Sequence, residues 1–273
     1  ALSGSQTKAP GFAGGYLLQG GWGWRYTDKN VSIVELTLKQ VNLERNVHKE
    51  ELCRKKTYSL CGELTDKSIV VLGDSHGSDG LNVASTLYPG ANFLISGIGG
   101  CPPLINLQGV DYKNESCEKI NEELFRDLGR LNKKHILFIL FSMKHDRDRI
   151  AGLYATLDYL ESLGFNIKVM GVGPWFDTSP HTLFLKNQNV ERAESALNMH
   201  QKNKIFKIRQ NLQEAAAYSD WELIDKLDFF CPKQKCRLLT KDGKALNVVD
   251  SQHLTYPAAV EFGEYLKGLS ISD

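Results

Sequence analysis

The chain has almost no excess of charge of either sign: 33 Lys and Arg stand against 32 Asp and Glu, a formal +1. Proteins that hold nucleic acid or an anionic membrane through their overall field carry a basic excess, so neither partner is implied. The sequence also lacks the roughly 18 uninterrupted apolar residues that a membrane-spanning helix needs. Its amino terminus lacks the basic, apolar, small-residue order of a signal peptide. Two expectations remain: a cytosolic protein, or one whose export information lies outside these 273 residues. No cysteine pair has two-residue zinc spacing and no His cluster accompanies the cysteines. No metal or organic cofactor is therefore implied for this domain, and no internal repeat is visible.

What is present begins with six cysteines, which fall into the local pairs Cys53 and Cys61, Cys101 and Cys117, Cys231 and Cys236. An even count at short separations in polar sequence favours disulfides in an oxidising compartment, with local pairing one of 15 possible connectivities. Of the two expectations this favours export. The sequons at Asn30 and Asn114 matter only if the source glycosylates. Residues 1 to about 30 are rich in Gly, Ser and aromatics without a period, and read as an extended appendage. Trp22, Trp24 and Tyr26 there either pin the segment to a domain or offer a sugar-stacking surface. Residues 42 to 61 are strongly charged and read as a short helix closed by the first cysteine pair.

From residue 66 onward, strand and helix patterns alternate. Ser68 to Gly73 reads as a buried parallel strand, followed by a helix through Leu87. Ala91 to Ser96 is the second strand and runs into Gly97-Ile98-Gly99-Gly100-Cys101-Pro102-Pro103, where glycines free backbone N–H groups and prolines stiffen the continuation. Glu115 to Lys134 reads as an amphipathic helix, His135 to Phe141 as a buried strand, Asp146 to Gly164 as a helix stopped by Gly164, and Phe165 to Val172 as the fourth strand. A polar helical region from about Val190 to Tyr218, a last strand from Trp221 to Phe230 and a closing helix from Tyr256 to Leu269 complete the pattern. The expectation is an α/β, doubly wound, flavodoxin-like parallel sheet of about five strands with helices on both faces.

The chemistry-bearing residues lie at the two ends of that domain. Ser75 follows the first strand through Gly73-Asp74, at the carboxyl end where open α/β sheets collect functional groups. Asp74 and Ser75 are equally good helix N-caps. A nucleophilic serine needs a base, and the base needs an acid to hold its tautomer. Asp250 and His253, three residues apart, can point the same way and supply that pair, although His253 alone also reads as a helix-capping or partly exposed histidine. His76 and Lys144 are expected near the site in solvent-facing or structural roles. Trp175 and His181, after the fourth strand, line an acceptor groove or anchor a loop.

Gly73-Asp74-Ser75-His76, Gly100-Cys101-Pro102-Pro103 and Asp250-x-x-His253-Leu254-Thr255, in that order, resemble the SGNH hydrolase family. Within it they resemble the SGNH domains fused behind multi-helix membrane acyltransferases that O-acetylate bacterial surface glycans such as lipopolysaccharide O-antigen. The resemblance spans about residues 66 to 269 and implies a catalytic domain of residues 66–273, with residues 1–65 as a linker-like extension packed on it. It implies Ser75 as nucleophile, His253 as general base and acid, Asp250 as orienting acid, and an oxyanion hole from the backbone N–H groups of Ser75 and Gly100. The family's Asn after the third strand has no counterpart in Phe141-Ser142-Met143-Lys144, which leaves Ser142, Lys144, a water or nothing as the third donor. The resemblance further implies the periplasmic domain of a bacterial inner-membrane protein, with a glycan acceptor and a membrane acyltransferase domain of the same polypeptide as partners. That membrane portion would draw acetyl groups from acetyl-CoA. A secreted carbohydrate acetylesterase, or a silent glycan-binding module built on Trp22, Trp24 and Trp175, are the alternatives.

Overall fold

The apolar run at residues 69–72 is a strand because nothing in it can face water: every residue of β1 (Ser68–Gly73) is buried. Ser68 is tolerated there because its hydroxyl donates to the Thr65 carbonyl and accepts from the Thr65 N–H. A computed structural model describes residues 44–54, 59–110, 116–187 and 189–269. The aromatic-rich stretch at residues 1 to 30 lies outside the described residues, and so does Asn114.

Four further strands complete the sheet: β2 (Asn92–Gly97), β3 (Ile136–Ser142), β4 (Ile167–Met170) and β5 (Glu222–Ile224). All pair in parallel, in the order β2-β1-β3-β4-β5. This is the flavodoxin-like doubly wound order, whose strand sequence reverses between β1 and β3 and opens a crevice there at the carboxyl ends. The helices in chain order are α1 (Val47–Cys53), α2 (Gly77–Leu87), α3 (Cys117–Leu128), α4 (Arg147–Ser162), α5 (Pro180–Asn187), α6 (Val190–Met199), α7 (Lys204–Ala216), α8 (Lys226–Phe230) and α9 (Tyr256–Gly268). The three expected disulfides are formed, Cys53–Cys61, Cys101–Cys117 and Cys231–Cys236.

Two elements differ from the sequence reading. The segment from Trp221 to Phe230 is strand only over Glu222–Ile224; the Asp225 carboxylate then accepts the Leu227 and Asp228 amides and starts α8. The polar region from Val190 to Tyr218 is two helices, α6 and α7. Their break at residues 200–203 is set by tertiary pairing: Phe176 bridges Gln201, the Asp177 amide donates to the His200 carbonyl, and the Lys202 amide donates to the Trp175 carbonyl.

The described part of the amino-terminal extension is tied into the domain by main-chain bonds. Cys61 and Ile95 exchange N–H···O bonds of 2.8 and 2.9 Å, and Lys49 donates to the Gly97 carbonyl.

Glycines let β1, β3 and α2 meet closely enough to form the Ser75 turn. A Cβ on Gly73 would lie 2.2 Å from the Ser142 carbonyl oxygen and 2.5 Å from the Gly77 Cα, and one on Gly80 would lie 2.4 Å from the Ser142 Cβ. The obstructing atoms at Gly73 are backbone and cannot swing aside. Gly73→Ala should therefore destabilise the fold by about 1–3 kcal/mol, as overpacking does, with each kcal/mol lowering Tm by roughly 2–4 °C in a domain of this size. Thermal unfolding followed by circular dichroism checks this; an unchanged Tm would contradict the close approach.

Candidate active site

Ser75, His253 and Asp250 are brought together although 178 residues separate the first two. The local fold explains the arrangement. Gly73 ends β1, the Gly77 amide donates to the Asp74 carbonyl, and the resulting turn exposes Ser75 immediately before α2. At the other end, the Asp250 carboxylate accepts the backbone amides of Gln252 and His253 through Oδ1 at 2.8 and 2.9 Å. That turn presents Asp250 Oδ2 to His253 Nδ1 at 2.7 Å. His253 Nε2 then lies 2.8 Å from Ser75 Oγ. With Nδ1 donating to the carboxylate, Nε2 is left as the acceptor for the serine hydroxyl. Burial alone would push the Asp250 carboxyl up, but the hydrogen bond and charge of His253 and the two amides hold it well below the usual carboxylate range.

Beneath this line lies a second, buried set of groups that sequence reasoning did not identify. Asp79 is 1% exposed. It accepts from Arg45 Nε at 2.9 Å and from the Leu254 amide at 3.3 Å, and its Oδ2 is 3.3 Å from His76 Nδ1. Burial raises the Asp79 carboxyl, but Arg45 first and His76 second pull it well below its ordinary value. Arg45 also donates to the Ser75 carbonyl. The His76 ring stacks on His253 with centroids 4.4 Å apart. His76 is thus not solvent-facing: its contact with Asp79 draws it inside, to 6% exposure.

Asp74 is buried too, and is not a simple helix cap. Its carboxylate accepts the His76 amide at 3.0 Å, the Lys144 amide at 3.3 Å and Arg149 Nη1 at 2.6 Å. The turn after β1 is thereby fixed to the start of α4. Ser142, considered above as a third oxyanion donor, is fully buried and spends its hydroxyl on the His76 carbonyl at 2.8 Å. Gly100 has a left-handed φ of +79° in the turn closed by the Cys101 N–H to Ile98 carbonyl bond. Gly97, at the end of β2, faces the Ser75 turn: a Cβ added at Gly77 would lie 3.4 Å from its Cα.

Beside the triad a small pocket of about 20 Å³ opens between the loops after β3 and β4, lined by His76, Lys144, His145, Trp175 and Lys226 among others. Its lining residues include two histidines and two lysines. His145 Nε2 donates to the Met170 carbonyl at 2.7 Å, which assigns its proton and leaves the buried Nδ1 a bare acceptor. Burial pulls His145 down to about 4, so it is neutral at physiological pH. His76 Nε2 is likewise buried without a partner among the described residues. Lys226, 2% exposed, supplies an ammonium whose pKa burial lowers and whose charge Asp79 and Asp74 favour. A hydroxyl group, which donates and accepts, matches this lining. His181 is not in this lining: it bonds Ser179 Oγ at 2.8 Å and lies near enough to Val249 and Asp250 to feel the backbone of the one and the charge of the other. Among the described residues no group of three or more His, Cys, Asp or Glu side chains could hold a metal ion.

A five-stranded parallel sheet that presents a Ser-His-Asp line beyond its switch point is the architecture of an SGNH hydrolase-like domain. The chain belongs to the family of SGNH domains fused to AT3 domains, whose model matches residues 41–267. Among solved structures it is similar to the periplasmic domain of the lipopolysaccharide acetyltransferase of Salmonella ser. Paratyphi A, at 16% identity and a TM-score of 0.67, over 89% of this chain and 100% of that one. A GDSL-like lipase from Bacteroides thetaiotaomicron aligns at 10% identity and a TM-score of 0.40, over 86% and 95% of the two chains. No protein of curated function matches the sequence.

The Asp79 contacts predict how stability varies with pH. A carboxylate whose folded pKa is depressed contributes stability that is present above its unfolded value, and loses it as pH falls through the folded value. The ordinary aspartate value is 3.8, so wild type should lose this contribution progressively below that pH. Asp79→Asn, which leaves Arg45 without its partner, should cost about 3 kcal/mol near neutrality, and the gap should narrow in acid. Tm measured against pH for both proteins tests this. Parallel curves would show that Asp79 contributes no pH-dependent stability.

Proposed function

We propose that this protein is the periplasmic SGNH domain of a carbohydrate O-acetyltransferase, which carries an acetyl group on Ser75 and passes it to a sugar hydroxyl of a surface polysaccharide such as lipopolysaccharide O-antigen. The observation that carries the reading is the continuous hydrogen-bonded line from Ser75 Oγ through His253 to Asp250. Membership of a family fused to AT3 domains supports it and favours an acyl supply from such a domain of the same polypeptide.

In the first half-reaction Ser75 Oγ attacks the donor's acyl carbonyl while His253 Nε2 takes its proton, and the leaving group departs with that proton. An acyl-serine ester remains. In the second, a sugar hydroxyl gives its proton to His253 and attacks the ester, and Ser75 leaves with the proton restored. Asp250 keeps the imidazole in the required tautomer and stabilises the imidazolium between the two transfers. The negative oxygen of each tetrahedral intermediate needs aimed donors. The backbone amides of Ser75 and Gly100 are the candidates, and the macrodipole of α2, which begins two residues after Ser75, favours negative charge beside it. No cofactor is proposed for this domain, because every bond made or broken belongs to donor, serine or acceptor; acetyl-CoA would enter only as the ultimate source of acetyl groups.

The test uses a small activated acetyl ester with and without surface oligosaccharide, following both release of the leaving group and acetylation of the sugar. Ser75→Ala should abolish both, and Asp250→Asn should reduce both by on the order of 10³–10⁴, through loss of the correct histidine tautomer. Acetylated sugar supports the transferase. Acetate without acetylated sugar would replace it by an esterase, and release that survives Ser75→Ala would remove the acyl-serine altogether.

A further inference from the structure

Cations collect around one indole at the mouth of the pocket beside Ser75. The ammonium groups of Lys204, Lys144 and Lys202 lie 4.2, 4.6 and 5.1 Å from the centroid of the Trp175 ring. No two of them are therefore more than about 10 Å apart, within one Debye length at about 0.1 M salt. Only one has an acidic partner: Lys144 faces Asp146 at 3.8 Å. Among the described residues no carboxylate lies within 4 Å of Lys202 or Lys204 Nζ. Lys226, buried in the wall of the same pocket, also has no carboxylate at that distance.

This convergence does not follow from composition, since acidic and basic residues almost balance over the whole chain. It follows from how the loop after β4 is fastened. The Lys202 amide bonds the Trp175 carbonyl at 2.9 Å, and the adjacent Phe176–Gln201 bridge breaks the long helical region so that α7 begins at Lys204, against the indole. The negative face of the ring attracts each ammonium. Mutual repulsion opposes this: Lys204 is among the charges that lower the pKa of Lys144, behind burial. A bound anion would relieve that repulsion.

We propose that this rim recognises a negatively charged acceptor sugar, whose carboxylate or phosphate sits between Lys144, Lys202 and Lys204 while a hydroxyl of the same glycan enters the pocket that His145 and Lys226 help to line. Trp175 and Lys144 line both the rim and the pocket, so one sugar unit can reach both. The inference rests on the acyl-transfer reading only in taking the ligand to be the acceptor glycan; the recognition itself can be measured without turnover. Lys144, Lys202 and Lys204 then set specificity for charge and take no part in the proton transfers.

Binding is measured by calorimetry with the whole 273-residue chain carrying Ser75→Ala. Three probes are used: an oligosaccharide containing glucuronate, its carboxyl-reduced neutral counterpart, and that neutral counterpart bearing a phosphate monoester. At least one charged probe should bind about tenfold more tightly than the neutral one in low salt, as expected for two or three exposed charge pairs. The two charged arms decide between carboxylate and phosphate. Lys202→Gln with Lys204→Gln should remove the advantage in a protein that still unfolds in one cooperative thermal transition, and high salt should also remove it. Equal binding of all three probes, binding of none, or an advantage that survives the double substitution would overturn the proposal. Ester cleavage by the native protein is scored separately, so loss of the acyl-serine and loss of charge recognition are distinguishable.

Discussion

The ion pair between Asp79 and Arg45 governs the geometry around Ser75. A carboxylate 1% exposed is tolerated only when its charge is matched and its oxygens are bonded. Asp79 meets that demand with groups from three parts of the chain: Arg45, 34 residues before it; His76, in its own turn; and the Leu254 amide, 175 residues after it. Each partner is adjacent to something the chemistry needs. Arg45 holds the Ser75 carbonyl, His76 stacks beneath the His253 ring, and Leu254 follows His253 directly. The line of three residues at the surface is thus positioned by a buried charge that touches none of the reacting atoms.

Asp74 performs the complementary task on the other side of the turn. By binding the Lys144 amide and Arg149 it fixes the loop after β3, which forms one wall of the pocket. Two adjacent motifs of similar chemistry therefore face opposite ways. Asp74 ties the turn to β3 and α4, while Asp79 ties α2 to the amino-terminal extension and the His253 loop. That division explains why the extension cannot be regarded as a passive linker: its Arg45 is one of the two cationic partners that allow acidic residues to be buried under Ser75.

Legibility in the sequence followed the range of the interaction that decided each feature. β1 and its glycine turn were readable because a short apolar run ending in Gly has few alternatives, and Asp250 and His253 because their relation is confined to one turn. The segment after Trp221 was not, since apolar runs of that length do not distinguish a strand from a buried helix; one capping carboxylate, Asp225, decides it. The break between α6 and α7 depends on a bridge to Phe176, and the role of Arg45 on a partner across 34 residues, so neither leaves a local trace. His76 reads as solvent-facing or structural, and only its contact with Asp79 decides for the second.

At the last residue of β3 the same packing gives a physical reason why no Asn stands there. α2 approaches β3 so closely at Gly80 that the facing position must carry a small side chain, and Ser142 meets that requirement while its hydroxyl holds the His76 carbonyl. A longer amide at residue 142 would have to displace the helix that carries the Ser75 turn. That position is therefore committed to holding His76 under His253. On the acyl-transfer reading, developing charge then falls to backbone N–H groups, those of Ser75 and Gly100. Fewer aimed donors lower the rate of every transfer from Ser75, to water and to sugar alike. Selectivity between the two must come from elsewhere, from groups that hold the sugar hydroxyl at the ester longer than a water stays. The pocket and its lysine rim are the part of the site with the chemistry to do so.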